Sequence, residues 1–259
     1  MAAGMSLVES LLGHPATRGL DLDDPATTAI RRDVVRSKPF LTAVYDEWYG
    51  MMIARVPDVA GALLELGAGG GFLQDRLADV ITSDVFPVPG IDRVVDAQDM
   101  PFEDASLRAI LMTNVFHHIP DVARFLSEAE RTLVPGGRIV MVEPWNTGWS
   151  RFVHRHLHAE PMLPDVAKWE FPVSGPLSGA NAALPWVVTT RDRERLESEW
   201  RLRVVETKPF MPFRYLASGG VSLRSLQPLW SFKAWKLAER GCVGSRMAVF
   251  ALIVVERVR

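Results

Sequence analysis

Cysteine is nearly absent: Cys242 is the single one in 259 residues. An intrachain disulfide is therefore excluded, and the chain fits a reducing compartment. Beside Gly241, Cys242 reads as a small loop residue. Long apolar runs are missing too. The longest, Met247 to Val255, falls far short of the ~20 residues that span a bilayer. No basic start followed by an apolar stretch opens the N-terminus, so a cytoplasmic protein without a signal peptide is expected. Neither sign of charge dominates: 29 Lys and Arg face 31 Asp and Glu, a net charge of −2, which gives no electrostatic reason to expect nucleic acid. Two phosphate-binding motifs are also lacking. A P-loop needs Gly-Lys-Ser/Thr at its end, and a dinucleotide fingerprint counted from Gly67 needs glycine at 72, where Phe72 stands. What remains, with 48% hydrophobic and 23% charged residues, is an ordinary globular chain able to bury a substantial core.

The most informative stretch is Leu63-Leu64-Glu65-Leu66-Gly67-Ala68-Gly69-Gly70-Gly71-Phe72-Leu73. An apolar run ends in an acid, breaks into a turn with Gly67, Gly69 and Gly71 at alternate positions, and opens a segment with Leu73, Leu77 and Val80 at helical spacing. Strand, tight loop, helix is the expectation. Glycine is needed where φ is positive or where a Cβ would collide with a bound ligand, so a small molecule lying on this main chain is expected. The next acid, Asp84, closes the run Val80-Ile81-Thr82-Ser83-Asp84, where a ribose diol would be held at the tip of a second parallel strand.

The chain then continues through Asp99-Met100-Pro101-Phe102-Glu103-Asp104, Leu107 to Ile119, and Leu133-Val134-Pro135-Gly136-Gly137-Arg138-Ile139. In this order and spacing, from about Glu65 to Glu143, the chain resembles the class I S-adenosylmethionine-dependent methyltransferases (methyltransferase type 11-like). Arg108 departs from that family, which often carries aspartate before the fourth strand. The resemblance implies an α/β, Rossmann-like fold: a mostly parallel seven-stranded sheet with an antiparallel last strand, an N-terminal helical lid and inserted aromatic-rich segments. It implies S-adenosyl-L-methionine as cofactor and a small-molecule acceptor as partner. Among the cofactor-binding residues, Glu65 would face the ammonium of the methionine tail, and Gly67, Ala68, Gly69 and Gly71 would let the backbone approach the tail and ribose. Asp84 would take the ribose hydroxyls, and Val85 would cover the adenine. Asp99 would accept from the adenine amino group while the Met100 amide donates to the ring. Asn114 would bring its carbonyl near the sulfonium. For Asp84 and Asp99, solvated turn acids are the plain alternative.

Expected elements are helices from Pro25 and from Pro39 (capped by Ser37), strands near Ala62–Leu66, Val80–Asp84, Arg93–Val95, Ala109–Val115 and Arg138–Glu143, a helix near Phe72–Ala78 and another from Asp121 to Leu133. A helix near Arg191–Trp200, a strand near Leu202–Lys208 and a last strand over Arg246–Val255 follow. No linker separates domains, so residues 1–259 are expected to form one methyltransferase domain. Residues 1–55 form arm and lid helices and 61–143 the cofactor core, with acceptor-binding insertions at 144–190 and 209–244. Leu41, Val44, Tyr45, Trp48 and Tyr49 form an aromatic stripe that reads either as packing on the sheet or as the lid. The tryptophans and phenylalanines of the two insertions read either as an acceptor pocket or as loops buried on the sheet.

His117 and His118, just after the fourth strand, are the candidate catalytic residues: a neutral imidazole there would take a proton from an acceptor hydroxyl. The alternative is that they cap or pack beside the next helix. His154, His156, His158 and Glu160 alternate, and on a helix only His154 and His158 would share a face. Without a carboxylate cluster or cysteine ligands, and with Arg151 and Arg155 interleaved, no metal is expected. The function expected is methyl transfer to a small or medium-sized acceptor, a sugar or natural-product hydroxyl. Alternatives are carbon methylation and a non-catalytic methyltransferase-like binding protein.

Overall fold

Strands whose apolar residues run without interruption must be covered on both faces. In the computed structural model they build one seven-stranded sheet in the order β3-β2-β1-β4-β5-β7-β6. The strands are β1 (Ala62–Leu66), β2 (Val80–Asp84), β3 (Arg93–Val94), β4 (Leu107–Thr113), β5 (Leu133–Pro144), β6 (Leu202–Phe210) and β7 (Phe250–Arg257). The structure describes residues 12–259 apart from 18, 21–23, 159, 173–174, 176–178 and 242–243. Cys242 and most of the N-terminal arm therefore lie outside the described residues. Strands β3 to β5 pair in parallel, and β7 runs antiparallel to both β5 and β6. The mostly parallel sheet with an antiparallel last strand is thus observed.

The period of two along each strand sorts the core into two layers. Ile110 and Met112 of β4, Ile139 and Met141 of β5, and Ile253 and Val255 of β7 face one side. There they meet Val122, Phe125, Leu126 and Ala129 of α3 (Val122–Thr132). Ala109, Leu111, Val140, Val142, Leu252 and Val254 face the other. That face is covered by α2 (Pro39–Ile53), through Phe40, Leu41, Val44, Trp48, Tyr49 and Met52. Leu41, Val44 and Trp48 of the aromatic stripe cover the sheet, while Tyr49 also reaches the glycine loop. The element lying over the glycine loop is α1 (Pro25–Ser37): Arg32 Nε donates to the Gly69 carbonyl at 2.8 Å.

Several local expectations are corrected. No α-helix forms over Phe72–Ala78; a single 3-10 turn at Leu73–Asp75 stands there. A helix this short is marginal alone, and its groups are already taken. Tyr49 Oη accepts from the Phe72 amide at 3.1 Å, and Asp75 and Arg76 pair with Arg36 and Asp46, each at 2.8 Å. Ser37 ends α1 and donates back to the Val34 carbonyl, so Lys38, without a side-chain cap bond, precedes α2. Buried Lys38 donates instead to the carbonyls of Gly220 and Leu223. The last strand begins only at Phe250, because Ala248 and Val249 offer their carbonyls to Thr147 and to the Trp145 amide. The insertions also contain unexpected helices, notably α4 (Gly148–Leu157) and α5 (Phe232–Gly241). Among the described residues no helix is long and apolar enough to cross a membrane.

Candidate functional site

Strand order reverses between β1 and β4, and in open α/β sheets ligands bind at the carboxyl ends of strands beside such a reversal. A cavity of about 540 Å³ opens there, within the ~300–1,000 Å³ usual for small-molecule sites. It is lined by Glu65 and Gly67 at the end of β1, Asp84 and Val85 at the end of β2, Asn114 and Val115 just after β4, and Pro144 at the end of β5. Asn114 adopts φ +57°, a left-handed conformation that asparagine tolerates better than other side chains; this turns the chain out of β4 and into the cavity wall.

The glycine loop is explained differently from the expectation. Gly67 has φ +69°, and a Cβ there would lie 2.3 Å from Val115 Cγ2. At Gly69 a Cβ would meet Thr28 Cγ2 at 2.3 Å and Asp84 Oδ2 at 2.5 Å, and at Gly71 it would meet Tyr49 Oη at 2.6 Å. These three glycines make room for the protein's own side chains. Gly70 is the glycine of this loop whose Cβ would meet nothing, and with Gly67 and Gly71 it lines the cavity.

The two cofactor-type acids are both buried. Asp84 Oδ2 accepts from the Gly69 amide at 3.0 Å. Burial raises its carboxyl above the usual value, against the pull of the Phe86, Gly69 and Val85 amides and of Arg32. Glu65, 3% exposed, is pushed up to about 8 by burial, with Arg32 opposing and Asp84 adding to the rise. Val85 is exposed and sits on the cavity wall. Ala68, Gly69, Asp99 and Met100 do not line the cavity. The Met100 amide is not available to an adenine: it donates to Glu128 Oε2 at 2.7 Å, and the Met100 side chain is buried. Asp99 is exposed. The part of this loop that reaches the cavity is Asp96-Ala97-Gln98.

His117 and His118 do lie on the cavity, within a larger constellation. Glu143, fully buried at the end of β5, accepts from the Val115 and Phe116 amides at 2.7 and 2.8 Å and from His117 Nδ1 at 2.6 Å. His117 Nε2 meets Glu160 Oε2 at 3.2 Å. Burial lowers the imidazole's basicity, but Glu143 and Glu160 outweigh it and push His117 up to about 10. With a carboxylate at each ring nitrogen, the protonated form of His117 is favoured, which weighs against its expected role as a general base. His118 Nδ1 donates to the Gly179 carbonyl at 3.0 Å. Burial and then the charge of His117 lower His118 to about 4, so its Nε2 carries a lone pair, 3.5 Å from Glu160 Oε1.

Glu160 is held in place by α4 and the residue after it. His154 Nδ1 donates to the Glu160 carbonyl at 3.3 Å, and the Glu160 amide donates to His158 Nδ1 at 3.2 Å. As the helical reading requires, His154 and His158 share a face, while His156 packs on Phe152. Of the aromatic residues in the two insertions, only Tyr215 lines the cavity; Trp145 and Trp169 are buried in the core and Trp149 packs on Phe152 and Phe213. Thr28, Arg31, Tyr45 and Tyr49 from α1 and α2 complete the wall.

A parallel sheet with an antiparallel last strand, two acids and a glycine turn at the strand ends, and one cavity define a Rossmann-like class I methyltransferase fold. Residues 64–141 match the family described as a methyltransferase domain. An uncharacterized methyltransferase of Mycobacterium bovis is 35% identical over 37% of this chain and 46% of its own length. The 27-O-demethylrifamycin SV methyltransferase of Amycolatopsis mediterranei is 30% identical over 39% of this chain and 43% of its own. The chain thus spans less than half the length of these curated relatives. Among solved structures, geranyl diphosphate C-methyltransferase from Streptomyces coelicolor A3(2) superposes with a TM-score of 0.51 at 18% identity, covering 95% of this chain and 92% of that one. Residues 64–141 thus match the methyltransferase-domain model, and the chain as a whole shares the fold of that solved methyltransferase.

Proposed function

We propose that this protein transfers the methyl group of S-adenosylmethionine to a hydroxyl of a small or medium-sized natural-product acceptor. One observation carries the reading: the cofactor-type residues Glu65, Gly70, Asp84 and Val85 share a single cavity with the His117–His118–Glu160 constellation. The cavity fits the cofactor's parts. A carboxylate at the end of β2 suits a ribose diol, an exposed valine beside it suits an adenine face, and the open backbone at Gly70 suits a ligand laid on the chain. Bound there, the cofactor supplies a methyl group on sulfur already activated as a leaving group, so catalysis rests chiefly on in-line positioning. The residues of this chain do the rest: Asp84 and Val85 orient the nucleoside, Glu65 meets the ammonium, and the histidine–glutamate side of the cavity receives the acceptor's polar end. Such a polar wall suits a hydroxyl, and the rifamycin relative is named for a substrate lacking an O-methyl group.

Calorimetry should show binding of S-adenosylmethionine and S-adenosylhomocysteine and none of NAD. Losing the charged acceptor in Asp84→Ala should cost ~1.5–3 kcal/mol, about 10–150-fold in Kd. NAD binding, or an unchanged Kd in folded Asp84→Ala, would end the cofactor assignment. Incubation of small-molecule extracts with isotope-labelled cofactor should place the label on oxygen; label on carbon would overturn the acceptor assignment while leaving the cofactor one intact.

A further inference from the structure

The side chains of His117, His118 and Glu160 come from segments more than forty positions apart, yet their ligand atoms lie within 4.8 Å of one another. His117 Nε2 is 3.2 Å from Glu160 Oε2, and His118 Nε2 is 3.5 Å from Glu160 Oε1. In tetrahedral zinc sites with metal–nitrogen and metal–oxygen bonds near 2.0–2.1 Å, neighbouring ligand atoms stand about 3.3 Å apart. The two separations lie near that value, one to each oxygen of the Glu160 carboxylate, which therefore faces both imidazoles.

The surroundings fit a metal site in a second, independent way. Metal-bound histidines usually give their other ring nitrogen to a carboxylate or carbonyl, which fixes the ring and turns the ligating nitrogen inward. Both histidines here do so. His117 Nδ1 donates to Glu143, itself anchored by two backbone amides, and His118 Nδ1 donates to the Gly179 carbonyl. Glu160 is steadied through its backbone by His154 and His158. All three candidate ligands line the cavity, so a fourth coordination position would open to an acceptor, as in catalytic rather than structural metal sites.

We propose that His117 Nε2, His118 Nε2 and the Glu160 carboxylate bind one divalent transition-metal ion of the zinc type. Two imidazoles with one carboxylate favour such an ion over magnesium or calcium, which prefer oxygen alone. The ion takes the place of the proton shared between His117 and Glu160. Its open position would accept an oxygen of the acceptor and make a hydroxyl there more acidic. That use rests on the methyl-transfer reading; binding of the ion does not.

The test uses the full-length protein after removal of metal by chelator and dialysis. Titration with zinc sulfate should show one saturable equivalent, and cobalt(II) chloride should give the intense visible absorption of a four-coordinate site. His118→Ala and Glu160→Gln should each weaken zinc binding by at least the ~10–100-fold that losing an outer partner costs, and Glu143→Gln by about that much. His156→Ala, beside the site but off the cavity, should bind as the unaltered protein does. Absence of saturable zinc binding, or a cobalt spectrum like that of the aqueous ion, overturns the proposal on the unaltered protein alone. Binding retained in folded His118→Ala and Glu160→Gln overturns it as well. S-adenosylhomocysteine affinity measured on the same samples separates the two readings: loss of that binding with zinc binding intact refutes only the cofactor assignment.

Discussion

Glu65 supplies the sharpest handle on the cofactor half of the cavity. In the free protein its carboxyl is pushed up to about 8 by burial, opposed by Arg32 and reinforced by Asp84. Below that pH it is mostly neutral, and a neutral carboxyl offers a cofactor ammonium no charge–charge attraction. A ligand that requires the ionised form must first remove the proton, so its observed Kd carries a factor of about 1 + 10^(8−pH). That factor is roughly 2 at pH 8, 11 at pH 7 and 100 at pH 6. Affinity for S-adenosylhomocysteine should therefore rise steeply from pH 6 to 8, by up to ~50-fold. Calorimetry in buffers of different ionisation enthalpy should detect close to one proton released per ligand at pH 6.

The stability of the free protein should move the other way. A carboxyl whose folded value is raised above its unfolded one stabilises the fold at low pH, and this contribution is lost as pH rises through about 8. Thermal melts of ligand-free protein should accordingly fall from pH 6 to 9, and ligand should restore them. Glu65→Gln keeps the shape and removes the titration, so its Kd should be flat between pH 6 and 8 and near the weak, low-pH value of the unaltered protein. Asp84 also titrates with a raised value, and Asp84→Asn should keep the Glu65 slope but move it to lower pH, because the Asp84 charge contributes to the rise. A flat Kd with no proton release in the unaltered protein, or a slope that survives in Glu65→Gln, would refute the assignment of Glu65 to the ammonium.

Gly67→Ala should lose ~2–5 kcal/mol, combining a left-handed φ with a Cβ 2.3 Å from Val115, whereas Gly70→Val should leave the melting temperature unchanged and weaken S-adenosylhomocysteine binding. Chemical denaturation and calorimetry on both variants check this. Trp48→Ala should cost ~3–5 kcal/mol, since Trp48 is fully buried against Tyr215 and Phe250, and the melting temperature should drop by about 10 °C. A folded variant of normal stability with slow turnover would return α2 to the role of a lid.

The sheet was legible because its signal is local. Apolar runs punctuated by Gly67 and Asp84 state where strands stop, and residues of alternate parity on β4, β5 and β7 need only a period of two to sort into layers. The helix expected over Phe72–Ala78 illustrates the limit. Leu73 and Leu77 have helical spacing, but whether a short segment coils depends on partners, and Tyr49, Asp46 and Arg36 claim its amide and charges from elements far back in the chain. Asp99 and Met100 miss the cavity for a similar reason. Glu128 on α3 captures the Met100 amide and Arg131 its carbonyl, drawing that pair towards the helix and leaving Ala97 and Gln98 at the wall.

Glu143 was legible in principle, and it is the residue from which the histidine constellation can be reasoned. It follows Ile139-Val140-Met141-Val142 in a central strand covered on both faces. A carboxylate there cannot stay unpaired, because leaving a buried charge without partners costs several kcal/mol. Its partners must come from the carboxyl end of the neighbouring strand, and β4 is that neighbour. The turn after β4 offers two backbone amides and the His117 imidazole, and Glu143 takes all three. Once Glu143 holds Nδ1, the other face of that imidazole is committed to the cavity, and whatever meets it there must be an acceptor or a cation. Glu160 fills that place from a segment whose alternation shows its backbone partners His154 and His158 but not His117, which lies more than forty positions away. The informative feature was a single acid at the end of an apolar run, and it predicts chemistry because burial obliges it to have company.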